Sequence, residues 1–447
     1  MHSNKNYFVL TITIILILSN IAFSQTIIKH PNPADKLDQR WEWALKEAKK
    51  SNFKDGCWIG YSIQRLMGEN SYIGAFHSPP RTGEIPLAEI IYGKKDPSKE
   101  KKISDEQAIK EAAGQALKKL ASGKHPEEKI LKDVALLFEF DKKVSPESIE
   151  KIQVSNLSLY VDLKNKPLIW LGTAEHSQSI PLLEQIYKFV GSTEIKEKLV
   201  TAVGIHEPVD LTVTFLEKAL LSNDANDVRE NAAFWLGQQD TERALKILLK
   251  TAQADRSEDV REKSVFGISQ IKITGATDAL IYLAEKADDE EVREKAIFWL
   301  GQRQGENALK FLVKIAKTDP SSDVREKAVF AISQMKSDEA TDELIDLAYH
   351  ARENNVRKKA IFWLGQKASK KAVAALEDVV NKDDDEEVQQ QAVFALTQLP
   401  DHRGVPNLIK IARTHPSRKV RKKAIFWLGQ SDDPRALDAL VEIVGKK

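Results

Sequence analysis

One signature returns every 32 residues through the second half of the chain and fixes what it can fold into. Val228 opens Val-Arg-Glu-Asn-Ala-Ala-Phe-Trp-Leu-Gly-Gln, and the same frame reopens at Val260, Val292, Val324, Val356, Val388 and Val420. A degenerate copy begins 33 residues earlier at Ile195, and another at Leu163 leads in phase to Trp170-Leu171-Gly172, which gives nine copies. A unit this short cannot bury a core by itself. It must stack on its neighbours, and a fixed period of this length is the mark of a stacked array.

Each copy reads as two helices. Counting from the anchoring Val as offset zero, apolar residues fall at offsets 0, 4 and 8, one face of a helix. Asp227, Asp259, Asp323 and Asn355 precede the anchors, as caps and first-turn anions do. The second helix starts polar and turns apolar, as at Ala244-Leu245 and Leu248-Leu249. The acidic runs 288–291 and 383–385 read as solvated turns rather than ligand sites. Pro167 suits a helix start, so the Leu163 copy is expected to be an entry cap.

Val-Arg-x-x-Ala-x-x-x-Leu-Gly, with an acidic turn and a second helix after it, resembles HEAT repeats of the bilin-lyase-like type. The resemblance covers roughly residues 161–447. It implies a mainly α chain, a HEAT-like α-α superhelix (solenoid), here preceded by a small α+β domain. A fold of this kind does not fix a function. Some relatives of the type are enzymes: deoxyhypusine hydroxylases bind two irons with His-Glu pairs at offsets two and three. Those offsets here hold Glu230-Asn231, Glu262-Lys263, Glu294-Lys295, Glu326-Lys327 and Gln390-Gln391, and none is His-Glu. The His206-Glu207 pair lies beyond its signature helix. The Arg at offset one is expected, from the resemblance, to pair with an Asp of a neighbouring turn.

Two further regularities sit inside the period. Offset seven alternates between large and small: Trp170, Ala202, Trp235, Gly267, Trp299, Ala331, Trp363, Ala395, Trp427. Offset nine alternates Gly237, Ser269, Gly301, Ser333, Gly365, Thr397, Gly429, so the true unit is 64 residues. Alternating large and small side chains satisfies packing on both sides of a helix. The tryptophans are read as interlocking packing, with a ligand-binding aromatic row as the alternative. Offset six does not alternate. It is Phe234, Phe266, Phe298, Phe330, Phe362, Phe394 and Phe426, and offset ten is always Gln. At 100° per residue, offset six falls opposite the apolar face, beside offset ten. If this helix lines the concave surface, as in the family, Phe and Gln form parallel stripes, with Gln238, Gln302 and Gln366 among the contacts. Exposed aromatics flanked by polar groups suit a partner-binding surface. The competing expectation is that curvature buries the rings in a second core. Offsets two and three become Lys-Lys at 358–359 and 422–423, so the C-terminal end of this face is more basic, which suits either an acidic partner or ordinary solvated surface.

Residues 1–24 read as a signal peptide: Lys5, an apolar run from Tyr7 to Leu18, then Ala22-Phe23-Ser24 with cleavage before Gln25. An uncleaved anchor is the rival reading. Export makes the expected location periplasmic or secreted, with no stable membrane insertion after signal removal. Residues 25–160 show no repeat. There, 37–50 and 105–120 read as helices, and 57–66, 72–76, 87–92, 134–140 and 152–163 as strands, with a turn at 79–83.

Net charge is +1, so no overall field attracts nucleic acid, and none is expected as partner. The single cysteine, Cys57, excludes an internal disulfide and reads as a small buried residue. The nine histidines never recur at i+3 or i+4, and no Cys-x-x-Cys, phosphate-cradling loop or Gly-x-Ser-x-Gly occurs. The expectation is a chain that is not an enzyme, has no catalytic or metal site and no cofactor, and binds a protein or peptide along the Phe/Gln face. The alternative is an enzyme with its site in residues 25–160 or at their junction with the array.

Overall fold

The structure, a computed structural model, describes residues 25–74, 85–93 and 129–445. The chain divides into two compact units at Trp235/Leu236.

The first unit is built on a five-stranded sheet of β1 (Ile27–Lys29), β2 (Cys57–Gly68), β3 (Lys129–Phe140), β4 (Ile149–Asn156) and β5 (Leu168–Thr173), in the order β1-β5-β2-β3-β4. β2–β3 and β3–β4 are antiparallel, while β5 runs parallel to both β1 and β2. Helix α1 (Leu37–Ser51) covers one face, its Trp41 ring edge-on to Phe138 at 5.1 Å. The short helix α2 (Leu87–Tyr92) belongs to the opposite core, with Trp58, Leu137, Leu168 and Trp170. Cys57 is buried in the sheet, which pushes its thiol up to about 12.

Four local expectations change here. Residues 168–173 form a strand, so the frame beginning at Leu163 is no helical repeat and Pro167 starts no helix. Leu168 to Leu171 are all buried because β5 lies inside the sheet with both faces covered. Such a strand reads as a continuous apolar run, without the alternation that would mark it. Residues 87–92 form a helix, burying Leu87, Ala88 and Ile91 at helical rather than alternating spacing. The strand expected at 152–163 is β4, which ends at Asn156. No strand begins at Tyr72, and the remainder of 72–76 lies outside the described residues, as do 1–24, the turn at 79–83 and the helix at 105–120.

Helices α3 (His176–Phe189), α4 (Thr193–Gly204) and α5 (Asp210–Leu220) complete this unit, followed by α6 (Asn226–Gly237), in which the division falls. The sheet holds them through a buried chain of hydrogen bonds. Ser179 Oγ lies 2.8 Å from both Tyr61 Oη and His206 Nε2, and His206 Nδ1 lies 2.8 Å from the Ala202 carbonyl. A carbonyl only accepts, so Nδ1 carries the proton, Ser179 donates to Nε2, and Tyr61 donates to Ser179. Arg65 also donates to the Ile205 carbonyl.

The second unit is a stack of helix pairs. After α7 (Glu242–Ala254), first and second helices alternate: α8 (Glu258–Gln270) and α9 (Gly275–Lys286), α10 (Glu290–Arg303) and α11 (Glu306–Thr318), α12 (Ser322–Gln334) and α13 (Asp338–His350). They continue as α14 (Asn354–Lys367) and α15 (Lys370–Lys382), α16 (Glu386–Thr397) and α17 (Val405–Thr414), α18 (Arg418–Leu428) and α19 (Pro434–Gly445). First helices pack side by side in one layer and second helices in another. The chain is thus mainly α, a HEAT-like solenoid with a small sheet domain before it. Among the described residues no helix is long and apolar enough to cross a membrane.

The anchors Val260, Val292, Val324, Val356, Val388 and Val420 are buried. The caps stand earlier than expected. Ser321 accepts from Val324 N and Ser417 from Val420 N, three residues before each anchor, which leaves Asp323 in the first turn. The acidic turns are not merely solvated either. Arg261 bonds Asp289, Arg293 bonds Asp319, and Arg357 bonds a nearly buried Asp383 at 2.6 Å. The expected Arg–Asp pairing therefore holds at these three positions. Arg325 and Arg421 instead donate to turn carbonyls at Asp319 and His415. Arg229 also donates to the Leu220 carbonyl.

Candidate functional site

The offset-nine alternation sets the spacing of the first helices in the second unit. A Cβ at Gly301 would lie 2.6 Å from the Ala331 carbonyl oxygen, and one at Gly365 would lie 2.8 Å from that of Ala395. A Cβ at Gly237 would lie 2.6 Å from Gly267. At these junctions the glycine of one copy meets the small offset-seven residue of the next, and the helix backbones touch. The intervening junctions are wider, and tryptophan fills them.

Each of these tryptophans sits between two phenylalanines. Trp299 lies 5.1 Å from the Phe266 ring of the preceding copy and 4.9 Å, edge-on, from Phe298 of its own. Trp363 stands in the same way between Phe330 at 5.0 Å and Phe362 at 4.9 Å. Trp427 stands between Phe394 at 5.2 Å and Phe426 at 5.0 Å. Phe298 and Phe330 stack at 6.3 Å and join the first trio to the second. In the first unit, Phe234 meets Trp235 edge-on at 5.4 Å.

No offset-six ring is buried. Phe298 is 36% exposed and Phe426 54%, while Phe234, Phe266, Phe330, Phe362 and Phe394 are half-buried. A second, closed core is therefore not what these residues form. Gln238, Gln302 and Gln366 are exposed beside them. In the alternate copies the glutamine is tied down. Gln270 donates to Ser269, and Ser269 to the Phe266 carbonyl; Gln334–Ser333–Phe330 and Gln398–Thr397–Phe394 repeat the pattern. The 64-residue unit thus alternates a glutamine tied to its own helix with one that shows no such tie among the described residues.

The tryptophans do pack between repeats, as the alternation implied, but they remain half-buried and belong to the same aromatic row. Sequence reasoning missed this because the width of each junction is a property of two helices, invisible on one helical wheel. The charged residues of this face are largely paired across copies. Lys295 meets Glu262 at 2.9 Å, and this contact holds its ammonium above the ordinary lysine range. Lys327 meets Glu294 at 2.8 Å and Lys359 meets Glu326 at 3.1 Å.

Residues 277–357 and 341–414 match the family of HEAT repeats, and residues 420–445 match the PBS lyase HEAT-like repeat. No curated protein sequence matches the chain at a significant level. Among solved structures it is similar to human deoxyhypusine hydroxylase, at 19% identity over 60% of this chain and 97% of that one, with a TM-score of 0.25. It is also similar to the complex of CpcE and CpcF of phycocyanin lyase from Nostoc, at 18% identity over 53% and 95%, with a TM-score of 0.27. Importin beta matches at 12% identity over 61% of this chain and 42% of that one, with a TM-score of 0.34. The expectation that the chain is not an enzyme is corrected by these matches. A hydroxylase and a lyase stand among the structures it resembles, so repeats of this kind give no ground for setting catalysis aside.

Proposed function

We propose that this HEAT-repeat chain is a scaffold whose first-helix face, with its phenylalanine and glutamine stripes, binds a protein or peptide partner outside the cytoplasm. The observation that carries the reading is that none of the seven phenylalanines is buried. An exposed ring loses contact with water only when something covers it, and a row of aromatics with amides alongside is the composition of a protein interface. Rings already held by their tryptophan neighbours lose little side-chain freedom on binding, which lowers the entropic cost of association. The cross-copy Glu–Lys pairs neutralise much of the face, which favours a polypeptide over a polyanionic nucleic acid.

A photo-crosslinking residue placed at Phe298, Phe362 or Phe426 tests this in the native host. The same residue at Tyr282, exposed on α9, is the control. A common protein adduct from the three face positions and none from Tyr282 is the expected result. Equal labelling from all four positions would sink the reading. The location is tested separately: the native protein, isolated after osmotic release of the envelope, is expected to begin at Gln25.

A further inference from the structure

The Glu–Lys ladder across the face stops at one place, and what lies there is a cavity. Its rungs join the offset-two Glu of one copy to the offset-three Lys of the next, at Glu262–Lys295, Glu294–Lys327 and Glu326–Lys359. The copy at Val388 carries Gln390 and Gln391 at those offsets. Lys358 turns instead to Glu387 at 2.5 Å, and Lys419 takes Glu386 at 2.8 Å. Lys423 stands where the next rung would close on Gln390. Among the described residues it meets no carboxylate, and its ammonium lies 5.8 Å from the Phe426 ring centre and 5.6 Å from that of Trp427.

Lys423, Gln390, Gln391, Phe394 and Trp427 line a cavity of about 260 Å³, together with the Lys358–Glu387 pair. This open hollow therefore offers an ammonium and two side-chain amides beside the rings of Phe394 and Trp427.

We propose that this cavity receives a carboxylate from an Asp or Glu side chain of the bound partner, with an apolar partner side chain beside it against Phe394 and Trp427. The proposal rests on the reading of this face as the partner surface. The carboxylate would supply the rung that Gln390 omits. The bond is charge-assisted, and an ammonium already held against two rings loses less side-chain freedom in forming it than a freely moving lysine does. The intact ladder further along has its cations already engaged, so the C-terminal end of the face discriminates for acidic segments and sets the register of the partner.

The test uses the full chain and two end-blocked peptides, acetyl-Gly-Leu-Glu-Glu-Phe-Gly-amide and its Gln-Gln counterpart, which carry no terminal carboxylate. Binding is measured by titration calorimetry and by tryptophan emission at low salt. The Glu peptide is expected to bind at least tenfold more tightly than the Gln peptide. Lys423→Gln is expected to reduce that preference below twofold, and so is Gln390→Glu, which restores the rung from within; binding of the Gln peptide stays unchanged in both. Circular dichroism verifies that both variants are folded. Equal binding of the two peptides, or binding of neither by folded protein, overturns the proposal. Tighter binding of a single-stranded oligothymidylate than of the Glu peptide overturns it as well. The broader reading of the face survives that outcome if the crosslinks from Phe298 and Phe362 persist, and falls with it if they also fail.

Discussion

Trp363 rests against Phe330 of the preceding repeat, with ring centres 5.0 Å apart and planes inclined at 50°. This contact, repeated at Trp299–Phe266 and Trp427–Phe394, makes the aromatic row part of the stack as well as part of its surface. It separates two roles that the sequence places one residue apart. The tryptophan fills a junction, and the phenylalanine beside it offers its outer edge to solvent.

Trp363→Ala is therefore expected to destabilise the array by about 2–4 kcal/mol, the cost of a cavity together with two lost aromatic contacts. Phe426→Ala, at a ring 54% exposed, is expected to cost less than about 1.5 kcal/mol. Urea unfolding followed by circular dichroism reads the difference. Similar losses in the two variants would show that the row is packing throughout.

The tight junctions give a contrast between two glycines at the same repeat position. Gly301→Ala places a methyl 2.6 Å from the Ala331 carbonyl oxygen and is expected to cost about 1–3 kcal/mol by overpacking. At Gly429 the nearest atoms are carbonyls of its own helix, at 3.4 and 3.6 Å, and Gly429→Ala is expected to cost nothing measurable. Thermal unfolding of the two variants beside the wild type decides the matter, and an equal loss would contradict the close backbone approach at Gly301.

Much of this is legible in the sequence. Seven anchors at a fixed step gave the helix pairs, and the helical wheel put offset six away from the buried face, where the rings indeed stay unburied. Residues 168–173 misled because Trp170-Leu171-Gly172 keeps the phase of the repeat while the segment is a strand buried on both faces. Residues 87–92 misled because Ile90-Ile91-Tyr92 carries strand-forming side chains, and tertiary packing over Trp58 and Trp170 decided for a helix. The doubled lysines at 422–423 were visible, but the missing rung at Gln390 was not, because pairing across copies depends on which offsets face each other.

The buried His206 gives the first unit a pH dependence whose sign follows from its surroundings. It is 1% exposed, and burial, then the neighbouring His176, push its imidazole down to about 3. In the unfolded chain it takes a proton near pH 6.5. Between those values the unfolded state binds a proton that the folded state refuses, so stability is full above pH 6.5 and is lost as pH falls toward 3. The loss reaches at most about 5 kcal/mol. His206→Gln can keep the bonds to Ser179 and Ala202 without titrating. The difference in unfolding free energy between wild type and variant is expected to shrink steadily from pH 7 to pH 4. A constant difference would show that the ring is protonated in the fold.

The most direct test of the account is capture of the native partner by the exposed phenylalanine edges. Phe298, Phe362 and Phe426 are changed together to Ser in the full-length protein, and its thermal transition is checked against the wild type. Complexes fixed in the living host are then purified and compared by mass spectrometry. The account predicts that the protein crosslinked to the wild type at this face is absent from the triple variant while the fold persists. Recovery of the same partner in the same yield from the folded triple variant would contradict it.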